Sequence, residues 1–450
     1  MTAPIEIIAP RNVAASGRPR FAICTLGCKL NQSDEEEIRA GLVQAGLREV
    51  DFADDAEVYI VNTCTVTHLA DRRSRQMLRR ARRQNPEALV AAIGCYPAVA
   101  PDELEAMPEV DLIAGSIDKS GVVDEVLARL DIPHAAFDIE ALPGPAGEET
   151  RTRRMIKIQE GCRAHCTYCV IPQARGRPRN KAPEDVVREV QAAVDAGYRE
   201  VVLTGTHVGT YKWATDGGVL RLAGLLEMVL DRTPIERLRV TSVGPHEIDE
   251  HFIQILSHPR MAPHLHLALQ SGSETVLRRM KRWYNTTQFR RAVRELREAL
   301  PDIGITTDVI VGFPGETDEE FVETCAFLRE MAFSRVHVFP FSPRRGTPAA
   351  VMPGQVPPRV KQERSATLRA IGEELQQAFS TRHVGRELAV LLEQSKQEED
   401  DGVPLWSGLT GNYLRVYVPG AADLANRLVT VRAIAPFADG VLATAPIVES

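Results

Sequence analysis

Residues 160–169 read EGCRAHCTYC and set Cys162, Cys166 and Cys169 in the pattern C-x3-C-x2-C. They follow the apolar run MIKIQ, which has the character of a buried strand, so the cysteines fall on the loop at its carboxyl end. In β/α barrels that end carries the active site. A structural zinc site takes four ligands, and closed iron–sulfur sites usually take four cysteines. Three thiolates therefore either borrow a fourth zinc ligand, for which His165 stands nearby, or hold a cubane with one iron left open. An open iron can bind a substrate.

The 450 residues are enough for two to four domains, and 44% hydrophobic with 26% charged residues is an ordinary soluble composition. There is no apolar run of 18 residues, so no transmembrane span is expected. The first twenty residues, MTAPIEIIAPRNVAASGRPR, lack the basic-then-apolar order of a secretory signal. Eight cysteines are too few for a disulfide scaffold, and their clustering points to metal ligands in a reducing cytoplasm. A net charge of −7 argues against nucleic acid on average, but two basic runs stand out. RRSRQMLRRARR at 72–83 has seven arginines, and 151–181 has nine Lys/Arg against the single acid Glu160. Each run lies beside a cysteine motif, which suggests a polyanion laid across metal sites.

The chain reads as α/β in three parts. In 18–130, FAICTL, EVYIVNT, LVAAIG and VDLIAGS are short buried-strand runs separated by helical stretches. SDEEEIRAGLVQAGL opens with an acid-rich turn after Ser33, the expected N-cap. HLADRRSRQMLRRARRQNP carries a small stripe of Ala70, Ser74, Met77, Leu78 and Ala81, with its arginines facing away. This alternation predicts a doubly wound parallel sheet. A Pro/Gly-rich linker follows at 131–152. In 153–380, six strands (MIKIQ, VVLTGT, LRVTSV, HLHLALQ, ITTDVIVGF and RVHVFPF) alternate with helical stretches such as PEDVVREVQAAVDAG and DEEFVETCAFLREM. Six such units predict a partial rather than a complete barrel. Residues 382–450 are short strands with turn signals and predict a small β-barrel, a type that often binds single-stranded nucleic acid. The acidic QEEDDG at 397–402 reads as an exposed loop.

The remaining cysteines divide in two. Cys28 in TLGCKLN, Cys64 in VNTCTVT and Cys95 in AIGCY each lie just past the carboxyl end of a predicted parallel strand. Ligands gather at such ends in open α/β sheets, so separations of 36 and 31 residues become spatial proximity. Cys24, inside a strand, and Cys325, inside a helix beside Phe321 and Leu328, read as core residues.

EGCRAHCTYC, with Tyr168 before its last cysteine, resembles the hallmark of the radical S-adenosylmethionine (SAM) superfamily. TLGCKLN, NTCTVT, GCY, VIPQARG, LQSGS and TDVIVGFPGET, in this order and followed by a small β-domain, resemble the methylthiotransferases over residues 20–448. NTCTVT, VIPQARG and LTGTHVGTY are most similar to the bacterial branch acting on N6-threonylcarbamoyladenosine in tRNA. The branch acting on isopentenyladenosine tends to read NTCSVR and GQNV, and a related enzyme modifies an aspartate of a ribosomal protein. The resemblance implies two 4Fe-4S clusters, one on Cys162, Cys166 and Cys169 and an auxiliary one on Cys28, Cys64 and Cys95. It also implies SAM as cofactor, methylthiolation at C2 of the adenine, a C-terminal TRAM domain, and an electron donor such as flavodoxin or ferredoxin in the cytoplasm.

Contacts to SAM are expected from Tyr168, from Gly205 at the end of the second barrel strand, from Gln270 and Asp308 on later strands, and from Gly312 in the turn GFPGE. Contacts to the tRNA anticodon stem-loop are expected from Arg72, Arg73, Arg79, Arg80 and Arg83 after the Cys64 loop, and from Arg175, Arg177 and Arg179 after Cys169.

Overall fold

VYIVNT and LVAAIG have no polar side until their last residues, and runs of that kind form strands buried on both faces. In the computed structural model, which describes residues 6–8, 18–116, 120–133, 152–398, 404–420 and 423–446, all twelve of these residues are buried. The chain packs as two units that are not contiguous in sequence. One gathers the described residues up to 133 with Gln159–Arg179 and Ser342–Val351; the other gathers 152–158, Asn180–Phe341 and Met352 onward. The loop with Cys162, Cys166 and Cys169 thus packs with the N-terminal sheet. Most of the expected linker (134–151) and of the acidic QEEDDG segment (399–402) lies outside the described residues.

The first unit is a doubly wound sheet. Its strands are β1 (Arg20–Thr25), β2 (Val58–Thr63), β3 (Leu89–Gly94) and β4 (Leu112–Gly115), parallel in the order β4-β3-β2-β1. Two-residue strands flank it, Arg48–Glu49 parallel to β1 and Glu6–Ile7 antiparallel to β4. The period of two divides the apolar side chains between two cores. Phe21, Val58, Ile60 and Ile93 face Ile38 and Leu42 of α1 (Lys29–Gln44). Tyr59, Val61, Val90 and Ala92 face Leu78 and Ala81 of α2 (His68–Gln84). Each fully buried Val, Leu or Ile stabilises by about 1.5–3 kcal/mol. Strand order reverses between β1 and β2, so this is the switch point where such sheets open a crevice.

One helix start differs from expectation. α1 begins at Lys29 with Cys28, not Ser33, at its N-cap. Ser33, Asp34, Glu35 and Glu36 are buried inside the helix instead of forming an exposed first turn. The acids are tolerated there because partners meet them: Arg39 binds Glu35, and Arg175 reaches Asp34. The stripe on α2 is as expected, with Ser74, Leu78 and Ala81 buried and Thr67 capping the helix.

The second unit continues from β5 (Arg153–Glu160), whose last two residues fall in the first unit. β6 (Glu200–Gly205) and β7 (Arg237–Val240) pair in parallel, as do β8 (His264–His266), β9 (Gly304–Val311) and β10 (Arg335–Pro340). Between β7 and β8 only the isolated bridges Leu238↔Met261 and Val243↔Leu267 connect the two sheets. The result is the expected partial barrel, and among the described residues no strand closes β10 back onto β5. Helices α3 (Pro183–Asp195), α4 (Leu222–Arg232), α5 (Thr286–Ala299) and α6 (Asp318–Met331) cover its outside. Two elements were not anticipated: the hairpin Lys212–Thr215 with Gly218–Arg221, and the 24-residue helix α7 (Pro358–Thr381). Among the described residues no helix is long and apolar enough to cross a membrane.

The C-terminal strands Glu387–Glu398, Pro404–Thr410, Arg415–Pro419, Leu428–Phe437 and Gly440–Ala443 close into a five-stranded barrel around Trp406, Val416 and Val431. It docks at the amino-terminal ends of β5 to β7 through one buried carboxylate. Glu200 accepts from Arg153 at 3.1 Å, Arg239 at 2.8 Å and Arg237 at 3.3 Å. The same guanidiniums reach the barrel: Arg237 donates to Leu409 O and Ala389 O, Arg239 to Gly411 O and Thr410 O, and Arg153 to Glu393. Burial pushes Glu200 up, but Arg239, Arg153 and Arg237 outweigh it and hold its pKa at about 2 against an ordinary 4.5. A depressed carboxylate stabilises the fold above its unfolded pKa and loses that contribution as pH falls toward its folded pKa. A shift of this size is worth about 3 kcal/mol. Glu200→Gln should therefore lower the urea midpoint at pH 7, and the gap to the native chain should close as pH falls from about 4.5 toward 2. An equal gap at pH 7 and pH 3 would show that the carboxylate charge is not what anchors the barrel.

Candidate metal centres

Three strand ends are stitched together by side chains on either side of the cysteines. Asn31 Nδ2 donates to Leu26 O at 2.6 Å and to Thr63 O at 3.0 Å, which ties the turn of Cys28 to that of Cys64. Asn62 Nδ2 donates back to Asn31 O at 2.7 Å. Thr63 Oγ1 donates to Ile93 O and accepts from Tyr96 N, which ties the turn of Cys64 to that of Cys95. Gly27, at φ +105°, lies so close that a Cβ there would stand 2.8 Å from Cys64 Cβ and 3.0 Å from its Sγ. Gly94, at φ +97°, lies against Asn62 and Thr63 in the same way. Glycine is needed at both because L side chains avoid that backbone and no room exists for one. Cys64 and Cys95 are buried and Cys28 is exposed.

The loop of Cys162, Cys166 and Cys169 closes on itself. Cys162 N donates to Gly176 O at 3.1 Å, and Gly161, at φ +80°, abuts Arg177 O. Ala164 N donates to Cys162 Sγ at 3.3 Å, and Cys169 N to Cys166 O at 3.1 Å. Amides aimed at sulfur favour the thiolate.

Two ties join the triads within the first unit. Arg175 is only 1% exposed. It donates to Glu160 Oε1 at 2.5 Å, just before the cysteine loop, and to Asn31 Oδ1 at 2.5 Å and Asp34 Oδ2 at 3.2 Å, just behind Cys28. The segment 342–351 makes the second tie. Arg344 donates to Thr65 O and Asp71 Oδ2 beside Cys64, and Ala349 N donates to Thr167 O between Cys166 and Cys169.

The donor set fits clusters. Burial pushes the Cys64 thiol up to about 12 and raises Cys95, so neither is a thiolate until a metal's charge replaces the proton. The charge of Arg175 and a hydrogen bond from its side chain oppose that rise at Cys95. No three His, Cys, Asp or Glu side chains among the described residues converge on a single-ion site. Cys325 lies in the α6 core, as expected, whereas Cys24 stays within β1 but is only half-buried rather than a core residue.

The other expected residues fare unevenly. Arg72, Arg73, Arg79, Arg80, Arg83, Arg177 and Arg179 are exposed, whereas Arg75 and Arg82 of the same run are spent on Tyr96 and on Asp111. Arg175 is a correction: it is an internal tie and reaches no surface, because two carboxylates and an amide hold it inside. Tyr168 is half-buried, and Gly205 is buried at the end of β6. Gln270 sits at φ +70° with its backbone bridged to Asp308 and Ile310. Gly312 is a packing glycine rather than an open edge, since Glu316 takes its N–H at 2.6 Å and Lys361 Cγ would stand 2.4 Å from a Cβ. Asp308 pairs with His266 at 3.2 Å. Burial raises its pKa, but His266 and His337 outweigh that and hold it low.

Four polar residues on the barrel strands or the loops that follow them escaped sequence reasoning: His207 and Glu247, 2.8 Å apart, and His266 and His337. The signal for the last two was present, since alternation in HLHLALQ and RVHVFPF sets the histidines on the face away from the helices.

Family comparisons agree with this geometry. A model of the radical SAM superfamily matches residues 156–328, and one described as uncharacterized protein family UPF0004 matches 20–115. The chain is 40% identical to the threonylcarbamoyladenosine tRNA methylthiotransferase MtaB of Bacillus subtilis, covering 91% of this chain and 93% of that protein. The chain belongs to the radical SAM tRNA methylthiotransferase family. The MtaB protein of Aquifex aeolicus is 38% identical over 92% of this chain and 99% of its own length. A tRNA-2-methylthio-N(6)-dimethylallyladenosine synthase of Moorella thermoacetica is 33% identical over 92% and 96%. Among solved structures, the radical SAM methyltransferase TsrM of Kitasatospora setae shares the fold at TM-score 0.53 and 15% identity, over 74% of this chain and 77% of that one. Members of this family use SAM and 4Fe-4S clusters, two of them where the UPF0004 region is present.

Removing one partner of a buried ion pair costs about 3–5 kcal/mol, since it leaves the others uncompensated. Arg175→Leu should therefore lower the melting temperature sharply and reduce iron retained on reconstitution, while Arg177→Leu should change stability by no more than about 0.5 kcal/mol. Calorimetry and iron analysis of the two variants check this; equal behaviour would reduce Arg175 to a surface residue.

Proposed function

We propose that this chain methylthiolates C2 of N6-threonylcarbamoyladenosine beside the anticodon of tRNA, giving 2-methylthio-N6-threonylcarbamoyladenosine. The observation that carries the reading is full-length similarity to MtaB proteins in a chain that holds both cysteine triads at strand ends. Cys162, Cys166 and Cys169 would hold the cluster that binds SAM, and Cys28, Cys64 and Cys95 the auxiliary cluster that carries sulfur. Bound there, the clusters and SAM supply the radical chemistry that an unactivated aromatic C–H needs and no side chain offers. The protein's own share is positional. Asn31, Thr63 and Arg175 fix the auxiliary triad, Gly161 and Gly176 close the other loop, and the 342–351 strap joins them.

The remaining assignments belong to the same reading. Residues 18–130 form the auxiliary-cluster domain, 153–380 the radical SAM domain and 382–450 a TRAM domain that grips RNA. Tyr168, Gly205 and Gln270 contact SAM. The exposed Arg72, Arg73, Arg79, Arg80, Arg83, Arg177 and Arg179 contact the anticodon stem-loop. The enzyme works in the cytoplasm with an electron donor such as flavodoxin or ferredoxin.

Anaerobic incubation of the reconstituted protein with SAM, reductant and tRNA, read by nucleoside mass spectrometry, should yield the methylthio product of threonylcarbamoyladenosine. Alanine at Cys162, Cys166 and Cys169 should halve the iron and stop SAM cleavage. Alanine at Cys28, Cys64 and Cys95 should stop sulfur insertion while 5′-deoxyadenosine still forms. Product on dimethylallyladenosine alone would overturn the substrate. Neutralising the exposed arginines of α2 should weaken tRNA binding and flatten its salt dependence by about one unit of slope per lost phosphate contact. Unchanged slopes in a salt titration would remove that face from the tRNA site.

A further inference from the structure

The face of the partial barrel turned away from its helices is polar where a packed core would be apolar. In the parallel register His266 lies opposite Thr306 and Asp308 opposite His337, so four polar side chains share one face of three adjacent strands. Their neighbours Leu265, Leu267 and Val309 point to the other side, into the helix-covered core, and Val336 packs against it. His266 Nε2 lies 3.2 Å from Asp308 Oδ2, and its Nδ1 is 3.0 Å from Thr306 Oγ1. Both ring nitrogens are thus engaged and the imidazole cannot turn. The His266 and His337 rings stand 6.3 Å apart. The Asp308 side chain is 33% exposed, and His337 and Phe339 are exposed on β10, the open edge of the sheet.

Asp308 keeps a third of its side chain in solvent beside its contact with His266, so its carboxylate has lone pairs that a second donor can reach. We propose that Asp308 and His337, braced by His266 and Thr306, bind the polar N6 substituent of the target adenosine and so set substrate choice. This rests on the function proposed above, and it assigns Asp308 to the substrate rather than to SAM. A threonylcarbamoyl group offers a hydroxyl and urea N–H donors that suit the Asp308 carboxylate. Its own carboxylate suits the His337 imidazole. A dimethylallyl group offers none of these and would leave both residues unmatched. The asymmetry is large: a site built to hydrogen-bond its substrate rejects an analogue lacking those groups far more strongly than an apolar pocket rejects a size change.

The test uses full-length, cluster-reconstituted protein and three anticodon stem-loops, carrying threonylcarbamoyladenosine, dimethylallyladenosine or plain adenosine. Dissociation constants come from fluorescence anisotropy, at matched iron content and melting temperature. The native protein should favour the threonylcarbamoyl loop, and His337→Leu should cut that preference by about tenfold, the loss of one hydrogen bond to a charged group. His337→Gln, which keeps a donor, should retain part of it, and Asp308→Asn should lower it independently. A preference unchanged in His337→Leu and in Asp308→Asn overturns the proposal. A native protein that binds the three loops alike but still methylthiolates the threonylcarbamoyl loop also overturns it, and leaves the function intact. A native protein that gives no product on that loop sinks the function and this inference together.

Discussion

The buried guanidinium of Arg175 is the contact on which the first unit's geometry turns. It closes the acids Glu160 and Asp34 and the amide of Asn31 around one planar fork. The partners come from two pieces of the site: Glu160 ends the strand before one cysteine loop, while Asn31, which stitches the Cys28 and Cys64 turns, and Asp34 lie one turn apart on α1. A lysine in its place would offer a point charge with no fork to fix three partners at once. The acids account for the unusual start of α1. A carboxylate cannot stay buried without a cation, so Asp34 turns inward only because Arg175 arrives from the other triad's loop.

A second buried charge cluster does a different task. Glu200 and its three arginines occupy the amino-terminal ends of the barrel strands, where stability rather than chemistry usually resides. The arginines satisfy Glu200 on one side and carbonyls of the C-terminal barrel on the other. That barrel is therefore not a detachable module. Cutting it away would strip acceptors from Arg237 and Arg239 and expose Gly304, whose α-carbon lies so close to Asn412 O that a Cβ would stand 2.0 Å from it. A truncation meant to test RNA binding would also test folding, so point changes on the barrel surface are the cleaner probe.

Most of this fold was legible because its strands are short, apolar and β-branched, and because cysteines punctuate their ends. FAICTL, EVYIVNT and LVAAIG became strands nearly residue for residue, and the strand-end rule brought Cys28, Cys64 and Cys95 together from separations of tens of residues. Two of the failures share one cause: charge was read as exposure. The acids after Ser33 and Arg175 in QARG look like surface residues in sequence, and only their three-dimensional partners reveal them as interior. The same assumption served well on the outer face of α2, where, among the described residues, the one ion pair of its five exposed arginines, Arg79 with Glu109, is loose at 3.7 Å. Arg72, Arg73, Arg79, Arg80 and Arg83 lie opposite the Leu78 stripe and are exposed as periodicity requires. The 24-residue helix α7 was missed because its few buried residues, such as Leu368, Ile371 and Phe379, are diluted by charges.

On the proposed function, the two units divide what a methylthiotransferase has to control. Both cysteine triads and the ties between them lie in the first, so the spacing of the chemical centres depends on packing that target choice need not touch. The polar strand face of His266, Asp308 and His337 lies in the second. Substitutions there alter hydrogen-bonding groups on one edge of an open barrel without disturbing a core residue, since the register sends their neighbours to the opposite face. If that face sets target choice as proposed, such a division would let one scaffold serve adenosines with different N6 groups.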